Sequence, residues 1–275
     1  MTRKLVFLGC SHTAGEGSEW PSLCDYVEMP SKFQPKHRYP YLREQYSKDN
    51  INATNQTHCR RDFVDFLNTR FDGGFSEDSR VQKYRQTLSW PTLLGDMLGI
   101  PVENLGRPGA SNDLCLTQLM RYVTHNSLDG CLVVFSSTYM HRHFIQTPSH
   151  CDGTYHHHDV NRQLDELEIQ GYDWRINELA RIIWLMSTFC RSNGARFVWA
   201  PFDEYLISPI SGIDFWNTEH SYFSQQAGKH CISFEPIAYQ LSEEFSWRRF
   251  DGHHFDSVAQ REVARVYQKL LDFYI

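Results

Sequence analysis

Lys4-Leu5-Val6-Phe7-Leu8-Gly9-Cys10-Ser11-His12-Thr13-Ala14-Gly15 is the stretch whose reading decides the fold. Its short apolar run, ended by Gly and Ser, reads as a buried strand that stops and turns into a loop. Apolar runs of the same kind recur downstream: Val102 to Leu105, Cys131 to Ser136, Arg196 to Ala200 and, more weakly, Cys231 to Phe234. Between them lie helical patterns. Ser89 is placed to cap a helix over Trp90–Leu98 that Gly99 closes, and Ser111 to cap one running to about His125. Asp173 opens a long helix whose apolar residues Ile176, Leu179, Ile182, Ile183, Met186 and Phe189 recur at helical spacing. Ser257 to Tyr274 reads as the last helix. Strands alternating with helices predict an α/β fold with a parallel sheet of about five strands covered on both faces. In such sheets the site lies beyond the carboxyl ends of the strands, here after Leu8, Leu105, Phe135 and Ala200.

The remainder of the N-terminal half lacks this alternation. Residues 16–88 are polar and rich in Tyr, Arg, Asp and Ser, and Pro21, Pro30, Pro35 and Pro40 argue against a helix in their first half. Short helical turns are expected near Asp62 to Thr69. A structureless loop of this length does not suit a compact domain, so the chain reads as one domain over 1–275 with 16–88 as an insertion or lid.

Composition narrows the function classes. The 275 residues are 41% hydrophobic and carry 27 Lys plus Arg against 33 Asp plus Glu, a formal charge of −6, with no basic stripe for nucleic acid. No apolar run approaches the roughly 20 residues of a membrane helix. The eight cysteines are scattered without a C-x-x-C pair, which fits reduced thiols in a cytosol-like compartment. Leu5 to Cys10 has the look of a lipoprotein cleavage box, yet its apolar part is shorter than the roughly 7–15 residues an export signal needs. The glycosylation-type triplets at Asn52 and Asn55 carry no weight without export.

Two segments carry chemistry. Ser11 stands at the tip of the first strand among Gly9, Ala14 and Gly15, where small neighbours let a substrate approach the hydroxyl. Asp251-Gly252-His253-His254 precedes the last helix, and an Asp three residues ahead of a His can accept from one ring nitrogen and leave the other as a base. His254 is preferred over His253, whose two-residue spacing makes that bond harder.

In the order Ser, Asp, His, these segments resemble the SGNH, or GDSL-type, hydrolase superfamily. Its first block, Gly-Asp-Ser-x-Thr-x-Gly, is matched by Gly9, Ser11, Thr13 and Gly15 with Cys10 in place of Asp; its last, Asp-x-x-His, by Asp251 and His254. The second block resembles Asn104-Leu-Gly106-Arg-Pro-Gly109-Ala-Ser-Asn112. The resemblance implies a flavodoxin-like three-layer sandwich, a nucleophile Ser11, a base His254, an orienting Asp251, and an oxyanion hole from the backbone of Ser11 and Gly109. The third block departs: Thr138 in Ser136-Ser137-Thr138-Tyr139 falls where the family has an Asn donor, and loss of an oxyanion donor typically costs about 10²–10³ in turnover. Ser/Thr replacements followed by Arg, as in Thr138 to Arg142, resemble a divergent branch found in bacterial and phage proteins.

The expected function is a serine esterase on a small acyl ester, such as an O-acetyl group on a carbohydrate, with no cofactor, no metal and no nucleic-acid or membrane partner. An acyltransferase on the same serine, or a binding or structural module in a virion, are the alternatives. Other candidates receive plainer readings. His12 is expected to point away from Ser11. Consecutive His156, His157 and His158 suit a solvated loop better than one metal ion. Glu219 and His220 are singled out by no spacing. Aromatics such as Trp20, Tyr39, Phe215 and Trp216 are expected to fill cores beneath the long loops.

Overall fold

The computed structural model describes residues 2–25, 27–47, 63, 65–71, 74–75, 78–137, 143–144, 154–155, 171–201, 232–233, 237–246, 248–249 and 254–275. The chain forms two compact units: Met1–Thr13, Gly99–Gln240 and Leu270–Ile275 make the first, Ala14–Leu98 and Leu241–Lys269 the second. The strands are β1 (Lys4–Leu8), β2 (Val102–Asn104), β3 (Cys131–Phe135), β4 (His143–Phe144), β5 (Thr154–Tyr155), β6 (Arg196–Trp199) and β7 (Ile232–Ser233). The helices are α1 (Ser11–Ala14), α2 (Pro35–Ser47), α3 (Ser79–Leu88), α4 (Trp90–Leu98), α5 (Asn112–Val123), α6 (Gly171–Ser192), α7 (Ile237–Gln240), α8 (Glu243–Ser246) and α9 (Ser257–Leu271).

In the first unit five strands form one sheet in the order β2-β1-β3-β6-β7, and every neighbouring pair is parallel. This is the expected α/β class with the expected parallel sheet. Parallel strands must be buried on both faces, and β1 and β3 are: Val6 and Leu8 align with Val133 and Phe135 on one face, while Leu5, Phe7, Leu132 and Val134 on the other are equally inaccessible. The first set joins Leu114 and Leu119 of α5 and Leu179, Ile182, Ile183 and Met186 of α6 in one core, with Phe189 packed against it, so these members of the helical spacing face inward. Each such side chain contributes about 1.5–3 kcal/mol relative to exposure. Ser111 caps α5 as expected, its hydroxyl accepting from the Leu114 N–H at 3.1 Å. The chain leaves β1 for β2 on one side and returns to β3 on the other, so the strand order reverses beside β1.

The second unit has a core of its own, including Trp20, Leu23, Phe33, Phe63, Leu67, Phe71 and Val81. Trp20 and Phe63 meet tilted and Phe33 and Phe63 edge-on, both pairs at 5.1 Å between centroids. Trp20 is therefore buried and Tyr39 half-buried against this core, as expected for aromatics under loops, while Phe215 and Trp216 lie outside the described residues.

One expectation for this stretch is corrected. Prolines do not keep the region free of helix: α2 begins at Pro35, whose missing N–H lies in the first turn where no partner is needed, and it carries Pro40 within it. The helix α3 is also present, its N-terminus held by Asp78, which accepts from the Arg80 N–H at 2.8 Å. Its inward residues include a charged one, Arg85, which is why no apolar stripe reveals it. Residues 65–68 are helical, near the expected turns. Closer to the C-terminus, Trp90 of α4 stacks on Tyr267 of α9 at 4.1 Å. The cap of α9 is Asp256, accepting from the Val258 and Ala259 N–H groups at 3.1 and 2.9 Å and paired with Arg248 at 2.8 Å.

Candidate functional site

The first unit holds Ser11 at the carboxyl end of β1, as the first residue of α1 and buried. The strand-to-helix turn is tight because Gly9 has no side chain. A Cβ there would stand 2.1 Å from Thr13 Oγ1 and 2.8 Å from the Ser136 carbonyl oxygen. The loop after β2 is tied to this turn twice. The Asn104 amide donates to the Thr13 carbonyl at 2.7 Å while its oxygen accepts from the Gly106 N–H at 2.9 Å, and the Arg107 N–H donates to the Gly9 carbonyl at 3.0 Å. Gly109 follows in a left-handed conformation, φ +72°, which favours glycine, and a Cβ there would meet none of the described residues within 4 Å. The loop read as the second block thus sits against the Ser11 turn.

At the end of β3, Ser136 and Ser137 are buried. The Trp199 indole N–H donates to Ser137 Oγ at 2.9 Å. An indole can only donate, so Ser137 accepts there and keeps its own proton to donate elsewhere.

His254 belongs to the second unit and is 2% exposed. Its Nε2 lies 3.2 Å from Glu16 Oε2. Glu16 in turn lies 3.4 Å from Arg85, whose guanidinium also reaches Glu19 at 3.0 Å and packs over the Phe75 ring. Burial pushes the Glu19 carboxyl above the usual carboxylate range, and the guanidinium of Arg85 pulls the other way. The backbone fixes this cluster. At Gly17, φ +91°, a Cβ would come within 2.5 Å of the Phe255 carbonyl and 2.8 Å of His254 Cβ, so only glycine lets the 15–17 turn lie against the histidine.

The remaining sequence expectations fare unevenly. Asp251, His253, Thr138, His156, His157, His158, Glu219 and His220 lie outside the described residues. His12 is buried, but α1 is helical, so the strand alternation behind its expected direction does not apply. Glu16, Glu19 and Arg85 were not legible as site residues: no motif spacing links them, and Arg85 meets its partners across 66 or more positions. The one local signal is the glycine on either side of Glu16. Among the described residues no cluster of His, Cys, Asp and Glu could hold a metal ion, and no helix is long and apolar enough to cross a membrane.

No protein-family model matches the chain, and no curated protein matches it. Among solved structures the chain is similar to a protein assigned to the lipolytic G-D-S-L family from Desulfitobacterium hafniense DCB-2, at 11% identity and a TM-score of 0.43, over 98% of this chain and 100% of that one. The α/β class rests on the sheet order and register described above.

Proposed function

We propose that the protein is a serine ester hydrolase of the SGNH type, acting on a small acyl ester. The observation that carries this reading is the place of Ser11: the carboxyl end of β1, beside the reversal of strand order where open parallel sheets bind their ligands. In the proposed reaction Ser11 Oγ attacks the ester carbonyl carbon as His254 takes the hydroxyl proton. The resulting oxyanion is held by the backbone N–H groups of Ser11 and Gly109, with Thr138 as a third donor. Collapse breaks the carbon–oxygen bond to the leaving alcohol, which receives the proton from His254 and leaves an acyl-Ser11 ester. Water then attacks that ester, His254 takes its proton, and the carboxylic acid is released with Ser11 restored. The resemblance gives orientation of the imidazole to Asp251.

The left-handed turn at Gly109, tied through Asn104 and Arg107 to the Ser11 turn, supports its role as a donor. Buried unbridged thiols, such as Cys10 beside the nucleophile, support a reducing compartment. The test is hydrolysis of an activated acetyl ester by the wild type and by Ser11→Ala, purified side by side. Turnover that vanishes in the variant is expected. Turnover equal in the two removes Ser11 from the reaction, and no turnover in either favours the binding-module reading.

A further inference from the structure

We infer that Glu16 is the positioning carboxylate of His254, holding the imidazole through Nε2 so that Nδ1 carries the lone pair that receives the serine proton. This rests on the hydrolase reading for its purpose and on the second unit alone for its geometry. Nε2 of the buried His254 lies 3.2 Å from Glu16 Oε2, and no sequence motif assigned that residue any part. Glu16 is itself held. Its other carboxylate oxygen is 3.4 Å from Arg85, its carbonyl accepts from the Gln260 side chain at 3.4 Å, and the glycines flanking it are the kind that close packing demands. At Gly15, φ +86°, a Cβ would come within 2.5 Å of Ser89 Cβ, as one at Gly17 would collide with the His254 segment.

The arrangement has a use. Arg85 is shared between Glu16 and Glu19, so its charge does not belong to Glu16 alone. The imidazolium that forms during attack would stand beside the Glu16 carboxylate, where opposite charges attract more strongly than in bulk water. An anion so placed stabilises the imidazolium that forms during attack, the service a triad carboxylate performs. A neutral imidazole has one N–H, so Glu16 and Asp251 cannot both be its resting acceptor.

The test reads the ring directly. In ¹⁵N-edited spectra of the full chain, with His254 neutral, the proton is expected on Nε2 in the wild type and distributed over both nitrogens in Glu16→Ala. Glu16→Gln keeps an acceptor oxygen but loses the charge. It should retain the Nε2–H form while labelling of Ser11 by a fluorophosphonate slows about 10- to 10²-fold, with half-saturation within about twofold of wild type. Asp251→Asn should slow labelling less than Glu16→Gln. A wild-type proton on Nδ1, an unchanged tautomer in a folded Glu16→Ala, or wild-type labelling in Glu16→Gln overturns the inference. If the wild type is not labelled at all, the hydrolase reading fails, while the ring spectra still decide whether Glu16 holds His254.

Discussion

A missing methyl group shapes the Ser11 turn. Gly9 lets Thr13 fold back under the strand end, and Gly9→Ala would force its new Cβ against Thr13 Oγ1 and the Ser136 carbonyl. Overpacking of this kind costs about 1–3 kcal/mol, so the urea midpoint should fall; an unchanged midpoint would mean the turn is looser than described. Asn104 works by hydrogen bonding, joining the loop after β2 to the Ser11 turn. Asn104→Ala leaves the Thr13 carbonyl without its amide partner and should cost about 1–3 kcal/mol by denaturant unfolding. Ser11, with Gly9, was legible because a strand ending in small residues is a local pattern. Glu16 was not, because its meaning comes from His254 and Arg85, which reach it only through the tertiary fold.

Helices and strands were legible wherever burial is apolar. β1, β3 and α6 announce themselves because their inward residues are Val, Leu, Ile, Met and Phe. The helix α3 buries Arg85 instead, and α2 begins on a proline, so both escape a reading based on apolar period and helix breakers. The start of α3 rests on polar detail that can be titrated. The Arg80 side chain and then backbone N–H groups hold the Asp78 carboxyl below its ordinary range. A carboxylate with a lowered folded pKa contributes stability above its unfolded value and loses it as pH falls through the folded one. Asp78→Ala should therefore cost about 1 kcal/mol at neutral pH and distinctly less in acid, below the ordinary Asp range. Equal losses at both pH values would contradict the cap.

The whole chain is threaded between its units rather than divided once. The second unit takes Ala14–Leu98 from the N-terminal half and Leu241–Lys269 from near the other end. The two segments are joined by the Ser257 N–H donating to the Trp20 carbonyl at 2.9 Å, the Trp90 N–H to the Gln260 side chain at 3.0 Å, and the Trp90–Tyr267 stack. A chain ending at residue 240 should expose 14–98 to limited proteolysis well before the full-length protein is cut there; equal protection would show that this segment folds without its partner.

The same threading explains what sequence order alone conveyed. Ser11 comes before the break and His254 after it, so their order along the chain suggested a resemblance without showing how either is held. The most direct measurement is mass-spectrometric mapping of fluorophosphonate adducts on the native protein. A single adduct on Ser11, absent after unfolding and in His254→Ala, is the predicted result. An adduct elsewhere, or none on Ser11, would contradict the assignment of a serine nucleophile at the end of β1.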